Sequence, residues 1–341
     1  VVDGQALSLE GLVIRPDRPG RFPLVVMVHG TPGGSGAAFA QAISRQSPVA
    51  FNTAAIAFAQ RGYAAVAIMR RGFGRSGGVF SEFLQGSCDN RDYLQLARIS
   101  AGDVTAAVSA LRAEPWVDPH RIVLLGLSTG GLAVTAAAAT NPAGVVAVLN
   151  FAGGHRGTAT PDMVCSPDNL VATMGTLGRT ARIPALWLYA ANDHSFSPDL
   201  ARRTFSAYSA AGAPAQLRIL PAFGADGHTL ILYAPAERWL GAVEPFLAGL
   251  GLPTAPILAL PPLPSLPPPP GALPVCLNVF SDYLSARLET KAFAVTPQGG
   301  CGAAFSRTVD DAREGAMRDC AFHAHGGACK LYAIGPYLAP N

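Results

Sequence analysis

Five residues constrain this chain more than any others: Gly126-Leu127-Ser128-Thr129-Gly130. They follow the run Arg121-Ile122-Val123-Leu124-Leu125 and lead into an alanine-rich stretch over residues 132–140. A short apolar run, a glycine-bracketed turn and a helix-forming stretch spell strand, turn and helix, with one serine at the apex. This is the pattern of a nucleophile elbow. Its glycines permit the strained turn and leave room for a helix and a substrate to come close. The Ser128 Oγ stands at the end of the strand. The next amide, Thr129 N–H, opens a helix whose positive dipole end suits a developing oxyanion.

With 341 residues, the chain has room for one full-sized α/β domain and a small appendage. Half of the residues are apolar and 14% are charged, against roughly 25% charged in ordinary globular proteins, so a large core and a weakly charged surface are expected. No apolar segment reaches the ~20 residues needed to cross a bilayer as a helix, so no membrane span is expected. The formal net charge is +3, carried almost wholly by scattered arginines. No basic cluster is interleaved with aromatic residues, which leaves nucleic-acid binding without a footing.

The six cysteines are Cys88, Cys165, Cys276, Cys301, Cys320 and Cys329. None stands in a C-x-x-C pair of the kind that holds structural zinc, so no metal site is expected. An even number, four of them near the C-terminus, reads as three disulfides and an oxidising compartment. The sequence starts at Val1 without a methionine or a signal-peptide core, as expected of a secreted or periplasmic protein whose export signal was removed. A trimmed chain is the alternative.

Strand and helix signals alternate over residues 1–252, the pattern of an α/β fold with a mostly parallel sheet. Strands are expected over residues 7–14, 22–28, 63–69, 122–125, 145–151, 185–189 and 216–220. Helices are expected over residues 49–61, 100–112, 198–211 and 234–247. Residues 253–274 are dominated by proline, which removes amide donors and favours extended geometry, so they read as a semi-rigid linker. Residues 275–341 form a small cysteine-rich α+β unit, with strands expected over 291–295 and 330–334 and a helix over 308–321. So small a unit buries little core, and its disulfides should contribute roughly 2–4 kcal/mol each.

A serine hydroxyl is a poor nucleophile until a base takes its proton, and a histidine held by a buried carboxylate is the usual base. After an elbow of this kind the order along the chain is serine, acid, histidine. Asp193 follows the 185–189 strand in Ala191-Asn192-Asp193-His194, and His228 follows the 216–220 strand in Asp226-Gly227-His228. Both fall at carboxyl ends of strands, where open α/β sheets bind ligands. Asp199 reads instead as a first-turn residue of a helix, and Asp226 as a shaper of its loop. Among other histidines, His194 is structural or pocket-facing, His120 lies on the wrong edge of the sheet, and His323 and His325 lie in the tail.

The second oxyanion donor is expected from the glycine-rich loop Thr31-Pro32-Gly33-Gly34, with Thr31 N–H paired to Thr129 N–H. That loop could equally be only a tight connection. It lacks the Gly-Lys-Ser/Thr ending of a phosphate cradle. The segment from Arg70 to Gly78 reads either as a loop beside the pocket, with Arg71 as a substrate contact, or as a surface turn with solvated arginines. His155, at the end of another strand, reads as a pocket-lining or a loop-capping histidine.

Together His29-Gly30, RGFGRSGG, GLSTG, NDH and DGH resemble the α/β-hydrolase superfamily over residues about 5–250, in particular its dienelactone-hydrolase-like group, with similarity to esterases and prolyl-oligopeptidase-type hydrolases. The resemblance implies Ser128 as nucleophile, Asp193 as acid and His228 as base, with no metal or organic cofactor. Dienelactone hydrolases proper use cysteine, so the serine here favours a small-molecule or polymeric ester as substrate over a dienelactone. A peptidase or amidase, and a non-catalytic binding protein on the same scaffold, are the competing classes. The tail resembles a small disulfide-bearing module of some exported bacterial proteins, expected to contact a surface or polymer. Cys88 is expected to pair with Cys165, and the four tail cysteines among themselves, in an order left open.

Overall fold

The computed structural model describes residues 6–158, 160, 162–260, 262–323 and 327–340. Seven strands, β1 (Gly11–Ile14), β2 (Phe22–Val28), β3 (Ala64–Ile68), β4 (Val117–Leu127), β5 (Val145–Phe151), β6 (Ala185–Ala190) and β7 (Ala215–Leu220), form one sheet in the order β1-β3-β2-β4-β5-β6-β7. β1 runs antiparallel to β3, and every other pairing is parallel. Helices α1 (Gly36–Arg45), α2 (Asn52–Gln60), α3 (Tyr93–Arg112), α4 (Thr129–Ala138), α5 (Pro167–Gly178), α6 (Pro198–Ala210), α7 (Leu230–Tyr233) and α8 (Glu237–Ala248) make up the rest. β2, β3 and β6 are buried at every position, which is why their sequences run apolar without alternation. This is the mostly parallel α/β sheet that the strand and helix pattern led us to expect, in the α/β-hydrolase fold that the resemblance implied.

The expected strands all form, with β1 starting later, at Gly11, and β4 earlier, at Val117. The helix expected over 49–61 divides into a 3-10 turn, Pro48–Phe51, and α2. α3 reaches back to Tyr93, because the Asp92 side chain caps it by accepting from Gln95 N–H at 3.0 Å. α1, α5 and α7 have no counterpart among the expected helices. α5 begins with Pro167, a residue that reads as a breaker but is preorganised for a first helical turn.

Beyond the main sheet, α9 (Pro274–Ser285), β8 (Lys291–Val295), β9 (Cys301–Phe305), α10 (Val309–His323), β10 (Lys330–Ile334) and β11 (Tyr337–Leu338) build an antiparallel sheet in the order β11-β10-β8-β9. β8 shows a two-residue alternation between two small cores. Phe293 and Val295 face Cys276, Phe280 and Tyr283, while Ala292 and Ala294 face Ala312, Ala316 and Cys320. The expected strands and helix are present here, and α9, β9 and β11 are additions.

Three disulfides close: Cys88–Cys165, Cys276–Cys301 and Cys320–Cys329. The first joins two excursions of the large sheet, and the other two stay within the tail, as expected. Among the described residues, residues 253–273 hold no helix or strand, yet they are fastened rather than free. Ile257 N–H donates to Gln60 O at 2.8 Å, and Tyr63 and Tyr332 hydroxyls donate to the Pro253 and Pro267 carbonyls at 2.9 Å. The tail lies against the large domain. Arg307 bridges to Glu10 at 2.6 and 2.7 Å and to Gln46 O at 2.6 Å, and Asn52 Nδ2 donates to Arg287 O at 2.8 Å. No helix among the described residues is long and apolar enough to cross a membrane.

Candidate active site

β4 lies between β2 and β5, with Val28 opposite Gly126 and Phe151 opposite Leu127, so three loops leave the sheet at one edge. Ser128 occupies the apex with φ 56° and ψ −121°. A residue with a Cβ pays of order 1–3 kcal/mol for such a backbone, and only a surrounding structure that over-determines it holds it there. Here Ser128 N–H donates to Phe151 O at 3.0 Å, and its carbonyl accepts from Leu132 and Gly154 N–H at 3.1 and 3.0 Å. Close approach fixes the neighbours as glycine. A Cβ on Gly130 would stand 2.1 Å from Val28 O, and one on Gly30 would stand 2.9 Å from Ser128 Cβ.

Asp193 follows β6 with its side chain fully buried. Its Oδ1 accepts from Ser195 and Phe196 N–H at 2.8 Å each. His228 lies in the 3-10 turn Gly227–Thr229 after β7, where Asp226 Oδ1 accepts from His228 N–H at 2.9 Å and from His194 N–H at 3.1 Å. The two side chains meet: His228 Nδ1 lies 3.1 and 3.2 Å from the carboxylate oxygens of Asp193. An ionised carboxylate only accepts, so Nδ1 carries the proton and Nε2 keeps its lone pair. Phe196 packs beside the imidazole, with ring centres 5.6 Å apart.

Ser128 and His228 line the same cleft, of about 640 Å³, together with Thr31, Thr129, His155 and Arg156. Thr31 and Thr129 are the residues expected to offer oxyanion amides. Among the described residues neither backbone N–H donates to a protein acceptor. His155 Nδ1 accepts from Gly157 N–H at 2.9 Å, so this ring caps its loop and lines the cleft at once. Desolvation lowers its pKa from 6.5 to about 4, and the imidazole is neutral at pH 7 with its proton on Nε2.

Of the arginines in the segment after β3, Arg70 and Arg71 are withdrawn from solvent, while Arg75 is exposed. Arg70 is fully buried, its guanidinium paired with Glu82 and also donating to His29 O and, at 3.1 Å, to Thr31 Oγ1. Thr31 Oγ1 in turn donates to Glu82 at 3.2 Å, so a buried ion pair holds the loop that presents the Thr31 amide. Burial by itself would raise the Glu82 carboxyl. Arg70 outweighs it and holds the group below the ordinary carboxylate range. Beside this pair, desolvation first and Arg70 second keep His29 neutral, with Nδ1 donating to Gly30 O at 2.6 Å and Nε2 accepting from Arg70 N–H at 3.0 Å.

Arg71 is a correction to the sequence reading. Its Nε donates to Asp103 at 2.8 Å, and it is not among the residues lining the cleft. Glu82 had escaped notice, although a signal existed: it is the only acid between Gly78 and Cys88, and a buried Arg70 needs one. The competing residues stand as read. Asp199 is in the first turn of α6, Asp226 caps its loop, His120 lies on β4 away from the cleft, and His323 faces Asp319 in the tail. His194 lines the cleft, 3.1 Å from Asp162. His325 lies outside the described residues. The tail supplies one cleft residue that sequence reasoning did not place there, Phe305.

Among solved structures, the fold is similar to that of Est1E from Butyrivibrio proteoclasticus with ferulic acid bound, at 18% identity over 73% of this chain and 98% of that one, with a TM-score of 0.50. An acetyl xylan esterase from Paenibacillus sp. R4 matches at 18% identity over 71% of this chain and 79% of that one, with a TM-score of 0.48. Among curated proteins none matches. The model of the family described as X-Pro dipeptidyl-peptidase (S15 family) matches residues 3–178, a stretch that includes the Thr31 loop, Glu82, Ser128 and His155. Covering more than half of the chain, that match makes this protein a member of the X-Pro dipeptidyl-peptidase (S15) family, a hydrolase family of the α/β-hydrolase fold.

Proposed function

We propose that the chain is an exported serine hydrolase that cleaves carboxylic esters through Ser128, His228 and Asp193. One observation carries the reading: a strained serine and a histidine anchored on a buried carboxylate open into the same cleft. Ser128 Oγ attacks the ester carbonyl as His228 Nε2 takes its proton, while Asp193 keeps the Nδ1 proton in place and stabilises the imidazolium. The Thr31 and Thr129 amides receive the oxyanion; losing one such donor costs about 2.7–4 kcal/mol of transition-state stabilisation. The ester C–O bond then breaks, His228 returns the proton to the leaving alcohol, and water repeats the sequence on the acyl-enzyme. His155, neutral and carrying its proton on Nε2, lines the cleft and serves as a substrate contact in this reading.

Ser128→Ala should lower turnover of p-nitrophenyl acetate by about 10⁴-fold or more while the melting temperature stays within a few degrees. Rates within tenfold of wild type would remove Ser128 from the mechanism. The family match favours a second reading, cleavage of an amide after a short N-terminal segment by the same residues. Parallel rates on short esters and on X-Pro anilides separate the two. Three disulfides support export, tested by whether folding in a reducing cytoplasm lowers yield and stability.

A further inference from the structure

A second cavity, of about 700 Å³, lies between the large domain and the tail module. It adjoins the cleft. Ala50, Asp226, Thr229, Leu232, Tyr233 and Phe305 line both spaces. Tyr233 and Phe305 pair at this shared boundary, with ring centres 6.2 Å apart, one from α7 and one from the tail. Most of the walls beyond are apolar, including Val49, Phe223, Val275, Val279 and Leu288. Val275 is an exposed large hydrophobic residue, at 58%.

The charge of this groove runs against that of the chain. Net charge is +3, yet every charged residue lining the groove is acidic: Asp226, Asp282 and Asp319. Elsewhere Glu10, Glu82 and Asp103 meet arginine, and Asp193 meets His228. Asp226 is occupied by two backbone amides, and Asp319 accepts from Ala303 N–H at 3.0 Å with His323 3.7 Å away. Among the described residues no hydrogen bond or ion pair reaches the Asp282 carboxylate. Desolvation alone raises that carboxyl to about 6, the condition of an acid enclosed by apolar surface without a counter-ion.

We propose that this groove is the leaving-group subsite, and that it takes an alcohol whose apolar chain ends in a cationic head. The proposal rests on the serine hydrolase reading above. The leaving oxygen must face His228 to receive its proton, and the shared wall is made by the turn that carries His228 and by α7 after it. An alcohol departing on that side enters the groove past the Tyr233–Phe305 pair. Aromatic faces and carboxylates both attract a cation, and the apolar walls cover its chain.

The test uses the full chain and two acetate esters, one of trimethylammonio-octanol and one of its neutral tert-butyl isostere. Wild type should favour the cationic ester in kcat/KM by about fivefold or more. Asp282→Asn, and separately Asp319→Asn, should bring the ratio down towards one, with folding checked by thermal melts. Phe305→Ala should raise KM for both long esters more than it lowers kcat. Equal kcat/KM for the two esters in wild type, or a ratio untouched by both aspartate variants, overturns the proposal. If no ester of any kind is turned over, the hydrolase reading fails instead, and the groove is then judged by calorimetry with free trimethylammonio-octanol. Tighter binding than its neutral isostere, lost in Asp282→Asn, keeps the groove; equal binding ends it.

Discussion

The centre of the large sheet and the C-terminal module solve the same problem in different ways. Around Ser128, β2, β4 and β5 are buried by helices on both faces, and α4 is buried at all ten of its positions. A core of that size supports costly local features: a serine at positive φ, a buried Arg70–Glu82 pair and two neutral histidines. The module has two small clusters divided by one sheet, and covalent bonds lie within or beside both. A chain strains its backbone where burial is plentiful, and cross-links where it is scarce.

The sharpest way to break this contrast is Gly130→Ala. The added Cβ would stand 2.1 Å from the Val28 carbonyl, so a loss of more than about 4 kcal/mol is expected, read by chemical denaturation. A variant within 1 kcal/mol of wild type by the same measurement would mean that the elbow is not over-determined.

Glu82→Gln comes next. It leaves Arg70 charged and buried, at a cost of about 3–5 kcal/mol, and it loosens the Thr31 loop. On the proposed mechanism, turnover of a short ester should fall through kcat more than through KM, because an oxyanion amide acts in the transition state.

Removing the Cys276–Cys301 bridge with paired serines should destabilise the module by about 2–4 kcal/mol. Hydrogen exchange should quicken in β8 and β9 and stay unchanged in β4. Equal loss of protection in β4 would make the two regions one cooperative unit.

Smallest, and most telling, is mild acid. His155 has its pKa lowered from 6.5 to about 4, so between those values the unfolded chain binds more protons than the folded one. Its contribution to stability is present above pH 6.5 and lost as pH falls towards 4. Asp282 has its pKa raised from 3.8 to about 6, so there the folded state binds more protons, and stability rises as pH falls from 6 towards 4. Between pH 6 and 4 exchange protection should therefore fall around His155 and hold or rise in α9. His155→Gln should flatten the first trend.

Much of this molecule was legible in order along the chain. Strands such as β2 and β5 announce themselves, because a fully buried strand has no polar position to obscure it. The places of Ser128, Asp193 and His228 in the fold were legible too, since each follows a strand whose carboxyl end must face one side of a parallel sheet. The pairing of Cys88 with Cys165 followed from their places in two excursions on that side. What stayed hidden sits in residues whose role depends on a distant partner. Glu82 acquires meaning only when Arg70 is buried beside it, and Arg71, one position on, turns away to Asp103.

By itself, then, the sequence determined the doubly covered sheet, the elbow and the disulfide-bearing tail, because periodicity, glycine sterics and cysteine number act locally. Only the tertiary structure decided that the tail packs beside the cleft and lends it Phe305. Docking depends on a shared surface, and residues as far apart as Glu10 and Arg307 carry no mark of it until the chain has folded.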